Sequence, residues 1–336
     1  MSHSNIAIFI PHRGCPHACS FCDQKSISGE QKQITPSDVR RELEQVFSHP
    51  LDSSTTEIAF FGGSFTCLPK EEMEAFLQAA YLYVEGGWAS GIRISTRPDG
   101  ITEEILDILS RYGVRSIELG AQSMDDEVLR LNRRGHRSAD VEKASKLIKQ
   151  YGFSLGLQMM VGLYGDRKES LYETAEKIIA MKPHTVRIYP TVVIEGTYLD
   201  ELRLKGLYSP MSLERAVELC APLIERFESC GVRVIRVGLH PSESLERHRT
   251  GGAYHPAFRE LCESFLKRQQ LQRELERFPQ GSSLLIWVSP QELSQTIGQK
   301  KSNLIWAEKK GYRLTVKPDS SLSKGNRKVE KLPSRT

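Results

Sequence analysis

A partial parallel α/β barrel followed by a small α+β appendage is the fold class this sequence predicts, on three observations. The 336 residues suffice for one barrel-like domain of roughly 200 to 250 residues and a smaller unit, judged by usual domain sizes. From residue 6 to about 240, short β-branched runs alternate with helical patterns, as repeated βα units do. After about residue 280 the order becomes strand, helix, helix, strand.

Six strand candidates support a partial (βα)6 TIM-like barrel: Ile6 to Pro11, Glu57 to Phe61, Ile92 to Thr96, Ser116 to Leu119, Ser154 to Val161 and Thr185 to Tyr189. Apolar positions at helical spacing lie between them, as in Val39, Leu43, Val46 and Phe47, with Thr35-Pro36 as cap and first turn. A further helix (Leu213 to Phe227) and strand (Val232 to Leu239) precede HPSESLERHRTGGAYHP, which reads as a loop with a Gly-Gly hinge. The expected organisation is a core over 1–240, a loop and helical connector over 241–280, the appendage over 281–318 and a mobile basic tail over 319–336. Ligands of such folds sit at the carboxyl ends of the strands.

Hydrophobic residues at 39% and charged residues at 26% exclude a disordered or fibrous chain. No run approaches the ~20 apolar residues that cross a bilayer, and MSHSNIAIFIPHRG lacks a signal-peptide pattern. The expectation is a cytoplasmic protein with no membrane partner. Seven cysteines, an odd number in a chain this large, fit free thiols or metal ligands better than a disulfide framework. The net charge of +4 is too mild to argue for nucleic acid by itself, although basic residues outnumber acidic ones from Lys300 onward.

GCPHACSFCD places Cys15, Cys19 and Cys22 at C-x3-C-x2-C after the first strand. Chance would give this spacing about 0.003 times in such a chain. Thiolates are the usual ligands of iron-sulfur clusters, and three of them leave one iron of a cubane open. A structural zinc site would need a fourth ligand such as His12 or His17, and a redox dithiol would not need the third cysteine.

With Phe21 before the third cysteine, the motif resembles the signature of the radical S-adenosylmethionine (SAM) superfamily. That resemblance implies a 4Fe-4S cluster whose open iron binds SAM, reductive cleavage to a 5′-deoxyadenosyl radical, and a reductant such as flavodoxin or ferredoxin. Gly62-Gly63-Ser64 at the second strand's end matches the segment that meets the SAM amino group, and its Ser-Phe-Thr continuation resembles the branch containing the Elongator catalytic subunit. A tight βα turn explains the glycines equally well. Glu118, Gln122 and Ser123 end the fourth strand before an acidic helix start near Asp125, and Gln-Ser there resembles both Elongator-type and oxygen-independent coproporphyrinogen-oxidase-type enzymes. The resemblance implies an arginine for the SAM carboxylate, and Arg134 within NRRGH is the candidate. Ser95 stands where coproporphyrinogen-type relatives carry a glutamate near SAM. Gln158, polar in an apolar Met-rich strand, is a further cofactor candidate, whereas the methionines read as core. Tyr189 is a candidate radical relay or proton donor, or else a structural tyrosine with a paired hydroxyl.

In the appendage, a strand (Leu284 to Val288) and helix lead into Gly298-Gln299-Lys300-Lys301, then a second helix and strand. This resembles a degenerate KH-type nucleic-acid module in which Lys301 replaces the second glycine of G-x-x-G; any small αβ unit with a basic helix start would look alike. In the RNA-binding reading Lys300, Lys301, Lys309 and Lys310 bind phosphates. The expected function is thus an Elongator-like radical SAM enzyme with tRNA as partner, the resemblance covering residues 1 to about 240. No later stretch offers the length or glycine loop of an acetyltransferase domain. The alternatives are a coproporphyrinogen-oxidase-like enzyme on a small metabolite and an RNA-binding protein with a structural or sensory cluster.

Overall fold

The computed structural model describes residues 4–10, 14–23 and 34–333; Pro11 and His12, named above, lie outside them. Along the chain run β1 (Ser4–Phe9), α1 (Pro36–Phe47), β2 (Thr56–Phe61), α2 (Lys70–Glu85), β3 (Gly91–Thr96), α3 (Glu103–Arg111), β4 (Val114–Gln122), α4 (Asp126–Leu131), α5 (Ser138–Gln150), β5 (Ser154–Val161), α6 (Lys168–Ala180) and β6 (Thr185–Pro190). There follow β7 (Val192–Ile194), α7 (Tyr198–Leu204), α8 (Leu213–Ser229), β8 (Arg233–Val237), α9 (Glu243–His248), β9 (Arg249–Gly252) and α10 (Phe258–Leu275). The carboxyl-terminal unit comprises β10 (Ser283–Val288), α11 (Leu293–Ile297), α12 (Ser302–Lys309), β11 (Arg313–Pro318) and β12 (Arg327–Lys331).

The main sheet has the order β1-β2-β3-β4-β5-β6-β8, and every neighbouring pair is parallel. The six expected strands are all present, and the seventh, β8, extends the sheet beyond β6. Local chemistry sets the helix starts. Thr35 Oγ1 accepts from Asp38 N at 3.2 Å while Thr35 N donates to the Asp38 carboxylate at 3.0 Å, a capping box reinforced by Pro36. Asp125 caps α4 by accepting from Glu127 N and Val128 N.

Period-two alternation divides the strands between two environments. Ile58, Phe60, Ile92, Ile94, Ile117, Leu119, Leu155, Leu157, Val186 and Ile188 pack in one core with helix residues such as Leu43, Phe76, Leu109, Ile148, Ile178 and Phe227. Each such buried side chain contributes roughly 1.5–3 kcal/mol. The intervening residues Glu57, Arg93, Ser116, Glu118, Gln158 and Arg187 are hydrogen-bonded to one another. The inner face of the curled sheet is therefore lined by polar groups, and the apolar core lies between sheet and helices.

Three expectations change. The segment read as a hinged loop contains α9 and β9, and β9 pairs antiparallel with β7. A Cβ on Gly252 would lie 2.5 Å from Thr191 O, so the glycine pair allows close strand approach. The tail expected to be mobile supplies β12, antiparallel to β10, because Val329 opposite Ile286 gives it an apolar face. The connector is not separate either: Phe258, Cys262 and Leu266 of α10 belong to the main core, whereas Leu271 and Leu275 pack under the small sheet β11-β10-β12. No helix of the described residues is long and apolar enough to cross a membrane.

Candidate functional site

The loop after β1 is clasped from several sides at the carboxyl ends of the strands. Gly14 has φ +72°, and a Cβ there would lie 2.2 Å from Ser64 O, so only glycine lets the loop press on the Gly62-Gly63 turn. Both turn glycines also take positive φ, +81° and +59°. The His17 ring covers Gly135, where a Cβ would meet it at 2.3 Å. Ser20 donates through N (3.1 Å) and Oγ (2.7 Å) to the carbonyl and side-chain oxygens of Asn132. Asn132 is fully buried, and its amide donates to Val128 O and Tyr164 O at 2.8 Å each. Leu199 N donates to Ser20 O at 2.7 Å, and Phe21 packs among Val193, Leu199, Leu202 and Tyr208.

Cys15, Cys19 and Cys22 are therefore displayed together, all half-buried thiols. Burial, then the neighbouring Cys19 and Cys15 sulfurs, pushes Cys22 up to about 12. Burial and Cys19 also raise Cys15, against the lowering effect of Arg97 and Arg134. Arg134 Nη1 donates to Cys19 Sγ at 3.1 Å and Nη2 to Gly120 O at 2.7 Å. Among the described residues no three histidine, cysteine or carboxylate side chains converge as they would round an ion. Metal binding to thiols releases their protons. His17, the described candidate for the fourth ligand of a zinc site, lies with its ring against Gly135.

At the ends of β3 and β4 and just after them lie buried polar atoms that have no hydrogen-bond partner among the described residues, Ser95 Oγ, Arg97 Nη1, Gln122 Oε1 and Arg134 Nε, of which those of Arg97 and Arg134 belong to side chains near the sulfurs. Such groups are rare in folded proteins, and a cluster of them calls for a polar ligand. Their positions are fixed. Arg97 is forked onto Asp99 at 2.9 and 3.0 Å and donates also to the Arg134 carbonyl. Gln122 sits in the left-handed region, φ 65°, at an irregularity in the β4–β5 register. A Cβ on Gly120 would lie 2.9 Å from Gln122 Nε2 and 3.3 Å from Arg134 Nη2. His136 is buried beside them; burial, Arg134 and Arg97 push it down to about 4, so it is neutral at pH 7.

Other sequence candidates occupy different places. Ser64 is fully buried, and its hydroxyl joins Thr96 Oγ1 (2.9 Å), Arg97 N (3.2 Å) and Cys67 Sγ (3.2 Å), so the side chain pins the turn to β3. Glu118 is likewise engaged. Arg187 forks onto it at 2.6 and 2.9 Å, Arg93 reaches it at 3.0 Å and Gln158 Nε2 at 3.2 Å. Glu118 and Gln158 thus belong to the scaffold of the inner face. Tyr189 is half-buried on that face; burial raises its pKa while Arg187 opposes the rise, so it stays a proton-bearing phenol at neutral pH. Lys300, Lys301, Lys309 and Lys310 are exposed on the carboxyl-terminal unit. Arg97 and His136 escaped the sequence reading; the RPDG turn and the last residue of NRRGH were the available signals.

Residues 9–178 match the family model for the radical SAM superfamily, and residues 183–268 that for the radical SAM C-terminal domain. The chain belongs to the radical SAM superfamily. It is 30% identical over 222 residues to an uncharacterized protein of Methanocaldococcus jannaschii, covering 65% of each chain. It is 28% identical over 257 residues to the same organism's tRNA uridine(34) acetyltransferase, covering 64% of this chain and 47% of that one. The solved structure of Methanocaldococcus infernus Elp3 superposes with a TM-score of 0.65 at 23% identity, over 80% of this chain and 63% of that one. The chain thus spans less than two thirds of these relatives.

The family binds a 4Fe-4S cluster and SAM, and it is a family of enzymes. The residues present fit both groups in kind: three thiols on one clasped loop, and buried donors and acceptors at the neighbouring strand ends, without partners among the described residues, suited to the charged methionyl end of SAM.

Proposed function

We infer that this chain cleaves SAM reductively and uses the resulting radical to modify a tRNA nucleotide. The observation that carries the first half is the clasped cysteine loop beside the unpaired Ser95, Arg97, Gln122 and Arg134 atoms. Cys15, Cys19 and Cys22 would hold the cluster, with the Gly62-Gly63 backbone and those four side chains around SAM. When bound, the reduced cluster supplies the electron that breaks the sulfonium bond and yields the 5′-deoxyadenosyl radical, after one-electron transfer from a donor such as flavodoxin or ferredoxin. The chain's own residues orient and shield: Arg134 ties a cluster sulfur to β4, Gly14 seals the loop on the Gly-Gly turn, and Tyr189 holds a proton at its hydroxyl. Seven free thiols suit a reducing cytoplasm.

The tRNA half rests on the relative of that name and on the carboxyl-terminal unit. Lys300 and Lys301 take left-handed backbone, φ 52° and 61°, so lysine keeps the glycine-like path of a G-x-x-G loop while adding charge, at a cost of about 1 kcal/mol or more per residue. Replacing both by alanine is expected to weaken tRNA binding about tenfold and to reduce the slope of log K against log salt by about 1 for each phosphate no longer neutralised. Unchanged affinity and slope would remove this unit from the RNA interface. The modification itself is tested by comparing tRNA nucleosides from cells with and without the protein. One nucleoside should vary, and an identical profile would sink the tRNA reading. SAM cleavage without RNA binding would favour a small-metabolite substrate; RNA binding without SAM cleavage would favour a structural or sensory cluster.

A further inference from the structure

The inner face of the sheet carries an arginine that its charge pairing leaves over. Glu57 and Glu118 are matched by Arg93 and Arg187 in one buried network, with nitrogen–oxygen separations of 2.6 to 3.0 Å. Arg236 on β8 stands in register with Arg187 on β6. It is half-buried beside Arg187 and the neutral phenol of Tyr189, and no carboxylate among the described residues is paired with it. Two backbone carbonyls fix the guanidinium instead: Nε donates to Gly238 O at 2.9 Å and Nη2 to Leu239 O at 2.8 Å. The carbonyls come from a tight turn. Gly238 has φ +85°, and a Cβ there would lie 2.8 Å from Phe258 Cβ at the start of α10. The positive field is felt nearby, where burial, Arg236 and Arg187 push His240 down to about 4.

A partly desolvated guanidinium with no counter-charge is costly, and an oxyanion brought by a ligand would offset that cost. Arg236 is placed for it, on β8, the edge strand at the far side of the sheet from β1, which leads into the cysteine loop. An enzyme that acts on a base takes the nucleotide out of its stack, so the flanking phosphates come to rest at the mouth of the site. Behind β8, α10 connects this strand to the carboxyl-terminal unit: Arg259 of α10 donates to Val234 O of β8, and the buried Asn303 amide donates to Ser264 O of α10.

We propose that Arg236 receives a phosphodiester flanking the nucleotide that enters the barrel, an inference resting on the tRNA reading above. The test is equilibrium tRNA binding against salt for the wild-type chain and for Arg236→Met and Arg236→Lys, with circular dichroism melts to establish folding. Arg236→Met should weaken binding about fivefold and lower the salt slope by about 0.7, the single-strand contribution of one phosphate. Arg236→Lys should retain the slope. If the wild-type chain binds tRNA and Arg236→Met matches it in affinity and slope, the inference is overturned and the tRNA reading stands. If the wild-type chain binds no tRNA, both fall. A second readout uses small probes. Dimethyl phosphate should raise the His240 pKa, followed by histidine NMR, in the wild-type but not the Arg236→Met protein. The same rise with acetate and none with dimethyl phosphate would replace the phosphodiester by a carboxylate and overturn the assignment.

Discussion

Glu118→Ala is expected to destabilise the barrel by about 3–5 kcal/mol, because it leaves Arg93 and Arg187 buried without their shared counter-ion. Glu118→Gln keeps the shape and part of the hydrogen bonding, so it should fall between the two. Urea unfolding followed by far-ultraviolet circular dichroism measures both, and a loss under about 1 kcal/mol would mean that water relieves the pair. The same carboxylate gives an acid limb. Burial pushes its pKa up, but Arg187 and Arg93 outweigh burial and hold it below the ordinary carboxylate value. A folded pKa below the unfolded one means the stabilisation is complete above the unfolded pKa and is lost as pH falls through the folded pKa. Wild-type stability should therefore drop below about pH 4.5, with a shallower drop in Glu118→Gln.

Arg134→Leu should separate cluster loading from turnover. The leucine fills space but removes the donors to Cys19 Sγ and Gly120 O and the unpaired Nε. Iron content should stay near the wild-type value because three thiols remain. SAM affinity should fall on the order of 10–100-fold, as when outer-shell partners of metal sites are removed. SAM cleavage should fall about 10²-fold or more, as when one preorganised donor is lost. Arg134→Lys keeps the charge without the fork and should recover only part. Wild-type SAM affinity in Arg134→Leu would make the residue a loop anchor alone.

Local signals were legible and convergent ones were not. The cysteine spacing, the Gly-Gly turn and the Thr35 and Asp125 caps lie within a few residues of chain, and the structure shows the turn and both caps where the sequence indicates them. Ser64, Glu118 and Gln158 look like site residues because a polar side chain near a strand end has the same sequence appearance whether it meets a ligand or another strand. Their partners, Thr96, Arg187 and one another, lie up to 69 residues away. Arg97 and His136 reach the site only when β3 and the segment after α4 converge. The strand Arg327–Lys331 depends on one apolar residue, Val329, within a basic run that otherwise reads as solvated.

The central claim is that Cys15, Cys19 and Cys22 hold a cluster that cleaves SAM. Its most direct test is reconstitution of the purified chain without oxygen, with iron and sulfide quantified and 5′-deoxyadenosine measured after reduction with SAM, beside the variant carrying Cys15→Ala, Cys19→Ala and Cys22→Ala. About four irons per chain, and 5′-deoxyadenosine from the intact motif alone, is the expected result. Zinc in place of iron, or a loaded cluster that leaves SAM intact, would contradict it.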